Sequence, residues 1–115
     1  MLALALLRAA AVFAAGVVGN GTPASCTEAA LDAALNGGGM VTFNCGPDPV
    51  TITLTAEKVI TAETTTTVDG GGLVTLSGGD AVRVFRVNQS AMLELHNLGV
   101  AHGRGHASPC YVVVA

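Results

Sequence analysis

The sequence is poor in aromatic and charged residues. Its 115 residues include no tryptophan, 3% aromatic and 11% charged residues, yet half are hydrophobic and 15 are glycine. This composition argues against a core of large rings and favours a thin core of small branched side chains. The chain has only five lysines and arginines and a formal net charge of −3. It therefore lacks a basic field for a phosphate backbone, and we predict no nucleic-acid partner.

The longest apolar runs are confined to the N-terminal segment. Arg8 is followed by an apolar stretch over residues 9–18, and Thr22 and Ala24 are small residues of the kind that a signal peptidase reads. These features predict an export signal over residues 1–24. The run after Arg8 is shorter than the ~20 residues that span a bilayer, so we expect no stable membrane span after cleavage. A retained anchor and a misassigned start remain alternatives.

The three cysteines are Cys26, Cys45 and Cys110. In an exported, oxidised protein the first two can form a disulfide, which stabilises the fold by about 3 kcal/mol on a chain-entropy estimate. Cys110 is then left over. An odd cysteine in a secreted chain predicts a free thiol, an intermolecular bond or a partner beyond the C-terminus.

Short segments of alternating apolar and polar residues fill the chain between Met40 and Val100, separated by corners rich in glycine, Asn, Asp and proline. The pattern returns after roughly 26 residues, and strands this short must stack on neighbours to bury a face. We predict strands at 41–43, 50–54, 66–69, 73–76, 82–87, 92–95 and 98–101.

Alternation within these segments assigns side chains to the interior. The residues predicted to face inward are Val41, Phe43, Ile52, Leu54, Val74, Leu76, Val82, Val84, Leu93 and Leu95. The threonine run at 64–67 is expected to form an exposed β face, because threonine is stiff at χ1 and can hydrogen bond across strands.

One helix is predicted ahead of the strands. Ser25 and Glu28 have the spacing of a capping box, residues 29–35 favour a helix, and the glycines at 37–39 can end it. We expect three turns with Leu31 and Leu35 on one face. The helix would cover the exposed end of the first stacked strands, and a disulfide between Cys26 and Cys45 would fasten it there.

The stretch from Cys26 to Gly103 resembles the start of secreted bacterial right-handed parallel β-helix proteins of the pectin-lyase-like superfamily. The resemblance lies in the cysteine-flanked helix and strand of residues 26–45, the Asp-Gly-Gly-Gly corner at 69–72 and the Leu-His-Asn-Leu-Gly-Val strand at 95–100. It implies an all-β right-handed parallel β-helix, a solenoid of about two to three coils with an N-terminal capping α-helix, over residues 25–103.

Residues 104–115 depart from that family pattern. Further coils usually follow in the family, whereas here we expect an irregular tail with a strand-like segment at 111–114. We therefore expect the chain to be the N-terminal part of a longer protein.

The expected function is that of a secreted or cell-surface scaffold or adhesive module. Its partner would be a surface polysaccharide, or a second copy joined through the C-terminal β edge. One alternative is the N-terminal part of a polysaccharide lyase or glycoside hydrolase whose active face lies downstream. Another is an autotransporter-like passenger.

Candidate site residues are few, and we assign no catalytic residue, metal ligand or cofactor. Asp69, Asp80 and Arg83 could form a carbohydrate or calcium face, because related lyases use clustered aspartates and a nearby basic residue. Asp-Gly is also ordinary corner composition, in which the carboxylate accepts a local N–H. The three histidines, His96, His102 and His106, have no spacing that defines a metal site, so we interpret them as surface residues.

Overall fold

The computed structural model describes residues 16–104 and the backbone of residues 111–114. Nearly all regular elements are strands. In chain order they are β1 (Gly16–Val18), a 3₁₀ turn (Pro23–Ser25), α1 (Glu28–Leu35), β2 (Gly39–Phe43), β3 (Val50–Thr53), β4 (Lys58–Ile60), β5 (Thr65–Ser77), β6 (Phe85–Val87), β7 (Met92–Ala101) and β8 (Tyr111–Val114).

All strand pairs in the described part of the chain are parallel. One sheet has the order β1-β2-β5-β7-β8, with β3 also paired to β5, and β4 pairs with β6 in a second sheet. Gly16 is opposite Val41, Val41 opposite Val68, and Val68 opposite Leu95, so these partners lie 25 to 27 residues apart. The parallel, strand-rich structure confirms the all-β fold class.

The core is a set of aliphatic side chains stacked in register across these strands. Val41 and Val68 are fully buried and Leu95 is 4% exposed. Of the ten residues predicted to face inward, Phe43 and Val82 are half-buried against the core and the others are buried. The inward assignment is therefore confirmed.

The strands differ from the prediction in extent and in one orientation. The two segments predicted at 66–69 and 73–76 form one strand, β5, with a register shift against β7 between Asp69 and Val74. The threonine run was expected to be exposed, but Thr66 is only 1% exposed. It lies between Gly39 and Leu93 in register, so its side chain takes an interior position in the stack.

The helix begins later and is shorter than predicted. Thr27 is the N-cap, and its Oγ1 accepts a hydrogen bond from the Ala30 N–H at 3.1 Å. The Ser25 hydroxyl instead donates to the Thr22 carbonyl at 2.6 Å, so the predicted capping box is wrong. The eight residues of α1 make about two turns rather than three. Leu31 is fully buried, which fixes the helix against the strands.

The predicted disulfide is confirmed. Cys26 and Cys45 are bonded, with Cα atoms 5.8 Å apart, and both are nearly buried. The bond joins the segment before α1 to the end of β2. Cys110 lies outside the described residues.

The N-terminal and C-terminal segments contain strands as well. β1 lies within residues 1–24, whose role as an export signal stays a prediction, and residues 1–15 lie outside the described part. β8 pairs with Met92–Leu95 and is the strand-like segment expected in the tail. No helix among the described residues is long and apolar enough to cross a membrane.

Candidate functional site

Asp69, the first residue of the predicted face, lies inside β5, at the predicted corner where the register against β7 shifts. Its Oδ1 accepts a hydrogen bond from the Gly71 N–H at 2.8 Å, and Gly71 has a positive φ of 65°. A carboxylate that accepts from the residue two positions on is the local turn interaction expected of Asp-Gly sequences. Asp69 pairs with His96, and the next residue of β7, Asn97, has a φ of 49°. A Cβ added at Gly70 would approach the Asn97 carbonyl to 2.7 Å, so the backbones of β5 and β7 are closely packed here.

Asp80 lies at a different corner. Its backbone has a φ of 61°, and its Oδ1 lies 3.3 Å from Nδ1 of His102. The Arg104 guanidinium donates to the Asp80 carbonyl at 3.3 Å. Both side chains of the Asp80–His102 pair are mostly exposed, so water screens their interaction and it contributes little to stability.

Arg83 lies near the carboxylate of Glu57. Its Nε lies 3.9 Å from a Glu57 oxygen, and Nη1 of Arg86 lies 3.5 Å from the other oxygen of the same carboxylate. The Nε of Arg83 is buried and makes no hydrogen bond within the described part of the chain.

The three predicted residues thus make no direct contact with one another in the described part of the chain, and their role as a carbohydrate or calcium face stays a prediction. Asp69, Asp80 and Arg83 each contact different neighbours, and within residues 16–104 no hydrogen bond or ion pair links two of them. Among residues 16–104, no three His, Cys, Asp or Glu side chains form a group that could hold a metal ion. His96 pairs only with Glu94, at 3.1 Å, and His106 lies outside the described residues.

The strongest polar cluster is one that the sequence analysis missed. Lys58, the only lysine in the chain, is 5% exposed, and its Nζ donates to Glu28 at 2.7 Å and to Asp32 at 2.8 Å. Glu28 also accepts from the Thr55 N–H and hydroxyl at 3.0 and 2.9 Å, and from the Ala56 N–H at 3.3 Å. The cluster fastens α1 to β4 and to the turn before it.

The same contacts shift the ionisation of both partners. The hydrogen bond from Lys58, together with those from Thr55, lowers the pKa of Glu28 from 4.5 to about 2, although burial acts in the opposite direction. Burial alone would lower the pKa of Lys58, but its hydrogen bonds to Asp32 and Glu28 outweigh that effect and raise it. Both groups are therefore held in their charged forms at neutral pH.

A signal for this cluster was present in the sequence. Lys58, Val59 and Ile60 alternate, and Ile60 is a clear interior residue, so Lys58 has to point inward too. An inward lysine needs a carboxylate. Glu28 and Asp32 lie one helical turn apart and are the acidic residues of the only predicted helix, so they were its natural partners.

Beside this cluster lies a groove of about 570 Å³, here called the helix groove. One wall is the C-terminal end of α1 with the glycines that follow, and the other is β4 with the turn after it. The volume falls in the range of small-ligand sites. The lining is mixed: carboxylates, hydroxyls and one amide alternate with aliphatic groups. Its polar side chains are those of Asp32, Asn36, Glu57, Lys58, Thr61, Thr64 and Thr66.

Comparison of the sequence with protein-family models gave no match, and searches among curated proteins and among solved structures gave none either.

Proposed function

We propose that this chain is a secreted or cell-surface module of a right-handed parallel β-helix, with α1 as its cap, and that it serves as a scaffold or adhesive unit. The observation that carries the proposal is the parallel pairing of strands about 25 residues apart. Successive strands that pair in parallel at a similar separation are typical of a solenoid, and most pairs here are 24 to 27 residues apart.

The disulfide supports the export part of the proposal. Structural disulfides form in oxidising compartments such as the periplasm and the extracellular space. The Cys26–Cys45 bond closes a segment that includes the whole of α1, as expected of a small module that gains part of its stability from a covalent link.

A polysaccharide is the partner that we propose for the helix groove. Its hydroxyl, amide and carboxylate groups can donate to and accept from the hydroxyls of sugars. Because Lys58 is paired with two carboxylates, the cation contributes no free charge, so a neutral sugar suits the groove better than an anionic one.

A matched pair of asparagine variants tests this partner. Asn36→Ala removes an amide from the groove, whereas Asn44→Ala removes an exposed amide that does not line it. Titration of the purified protein with neutral surface polysaccharides should show saturable binding that Asn36→Ala weakens by roughly tenfold, the equivalent of a lost hydrogen bond of about 1.4 kcal/mol. Equal binding by both variants, or no binding by the wild type, would contradict the proposal.

Self-association is the second proposed interaction. β8 covers only Met92–Leu95 of β7, and in the described part of the chain no strand pairs with the outer edge of residues 98–101. This segment contains no charged residue, and Val100 is 46% exposed. An unpaired apolar edge of this kind is a template for pairing with another copy.

The alternative hypothesis is that this chain is the N-terminal part of a polysaccharide lyase or glycoside hydrolase. This hypothesis assigns catalysis to coils downstream of this chain, so it predicts that the chain by itself does not depolymerise polysaccharide. Incubating the purified protein with polysaccharide and following chain length tests this point: shortening of the polymer would assign catalysis to residues of this segment and overturn the scaffold proposal.

A further inference from the structure

β1 is part of the core although it lies inside the segment that the sequence predicts as an export signal. Its three residues pair in parallel with Val41–Phe43 of β2. Val18 is fully buried, whereas its neighbour Val17 is 59% exposed. The strand therefore alternates like the rest of the fold and contributes one interior side chain to the stack.

The backbone that follows β1 is tied to the end of β2. The Asn44 N–H donates to the Val18 carbonyl at 2.7 Å, and the Gly21 N–H donates to the Asn44 carbonyl at 2.8 Å. The sulfur of Cys26 lies 3.5 Å from the Val18 carbonyl oxygen. Loss of β1 would thus leave the Asn44 N–H without its partner and uncover one side of the disulfide.

Two glycines show how closely β1 is packed. A Cβ added at Gly16 would come within 2.6 Å of the Cβ of Ala34 on α1. At Gly19, where φ is 93°, a Cβ would collide with the Cys26 sulfur and the Asn44 carbonyl. The helix and the disulfide are therefore packed against the backbone of residues 16–19 itself.

We infer that an export peptidase cuts this chain no later than the bond after Gly16, so that Val17 and Val18 stay in the mature protein. The inference rests on the proposed export and moves the end of the leader upstream from Ala24. Ala14 and Gly16 supply the small residues that such an enzyme reads at the third and first positions before the cut. The reaction is hydrolysis of one peptide bond: one water is consumed, the leader gains a carboxylate, and the module gains a free α-amine.

The direct test is to produce the full chain in a bacterial host with a periplasm and to determine the mass and the first residue of the exported protein. We expect a mature chain that starts at Val17 or earlier and carries the Cys26–Cys45 bond. A mature chain that starts at Val18 or at any later residue, Ser25 included, would overturn the inference. An exported chain that keeps all its residues would overturn it too, although export itself would stand in both cases. A reduced, uncut chain retained in the cytoplasm would overturn the proposed export and with it the inference.

Two variants of the leader locate the cut. Ala14→Arg should slow processing at least tenfold and accumulate the precursor, because a long cation replaces a small residue that the peptidase reads. Ala24→Arg should leave processing unchanged, because Ala24 is not next to the cut and its side chain is exposed. The opposite pattern would place the cut after Ala24 and overturn the inference.

A second matched pair of variants tests whether β1 is part of the folded core. Val18→Asp should lower the melting temperature of the exported protein by roughly 10 °C or more, because it buries an unpaired carboxylate in a small domain. Val17→Asp, at the exposed neighbouring position, should change it by a few degrees at most. Equal melting shifts would show that β1 is not part of the folded core and would overturn the inference.

Discussion

At the scale of single residues, the direction of each side chain decides what a substitution does. Alternating positions along β5 and β7 lie inside and outside the stack, so two adjacent residues have very different environments. Leu95 is 4% exposed, whereas the side chain of Glu94 beside it is 38% exposed and lies 3.1 Å from His96. The effect of a substitution therefore depends more on whether the position faces inward or outward than on the residue type.

We predict that Val84→Asp and Leu95→Asp destabilise the fold by several kcal/mol, because each buries an unpaired charge. Arg83→Ala and Glu94→Ala should each change the free energy of unfolding by about 0.5 kcal/mol or less, because both side chains reach solvent. Thermal melting of the four variants checks this. Similar shifts for both sets would show that the inward and outward assignment is wrong.

We also predict an acid-dependent loss of stability that comes from Glu28. Its pKa is lowered from 4.5 to about 2 in the folded state, so its contribution is complete above pH 4.5 and disappears as the pH falls toward 2. The pKa of Lys58 is raised, so its contribution is complete below its ordinary pKa of 10.5 and is lost as the pH rises beyond that value.

Denaturant unfolding as a function of pH measures both effects. Glu28→Gln should flatten the acid limb of the stability curve between pH 4.5 and about 2, whereas Glu63→Gln, at an exposed position, serves as the matched control. At pH 7, Lys58→Met should cost less than Glu28→Gln, because the latter leaves a buried ammonium short of one partner while the former removes the buried charge. An unchanged acid limb in Glu28→Gln would contradict the role assigned to the cluster.

At the scale of elements, α1 is held by three different kinds of interaction. Leu31 packs into the core, the Glu28–Lys58–Asp32 cluster links the helix to β4, and the disulfide links the chain before the helix to the end of β2. A helix of eight residues is too short to be stable by itself in water. These tertiary contacts are therefore what keeps it folded.

We predict that the double variant Cys26→Ser, Cys45→Ser loses about 3 kcal/mol of stability, since the bond closes a loop with a sequence separation of 19. Melting curves measure the loss of stability, and intact mass with and without reductant shows whether the disulfide is formed. Free thiols at Cys26 and Cys45 in protein purified from an oxidising compartment would contradict the prediction.

At the scale of the whole molecule, the two ends of the stack differ. α1 packs against β1 and β2 at one end, whereas the last half of β7 has no strand on its outer edge within the described residues. A small stack also buries little apolar area relative to the conformational entropy that its folding costs. The molecule is therefore expected to gain stability from additional strands at the β7 end.

We predict that the purified protein forms oligomers through the β7 edge. Sedimentation at several concentrations should show a mass that rises with concentration, and Val100→Lys should shift the equilibrium toward monomer, because a charge on an exposed edge opposes strand pairing. Val17→Lys, an exposed valine on β1, is the control and should leave association unchanged. A monomer whose mass does not change with concentration would contradict the proposed edge pairing.

The sequence by itself determined the all-β class, the inward direction of ten strand side chains and the disulfide. Alternation with a period of two shows in local sequence, and two cysteines that flank one helix and one strand have few other partners. Val41, Val84 and Leu95 were identified for this reason. The sequence also predicted the local hydrogen bond of the Asp-Gly turn, in which Asp69 accepts from the Gly71 N–H.

Only the tertiary structure decided the burial of Thr66, the role of Lys58 and the inclusion of β1 in the core. Each of these depends on which strand lies beside which, and that pairing joins residues about 25 positions apart. An apolar run such as residues 9–18 suits a leader and a buried strand equally well. Its last residues belong to the fold because they pair with the edge of β2 at Val41–Phe43. Gly16 can lie against Ala34 of α1 because glycine has no side chain.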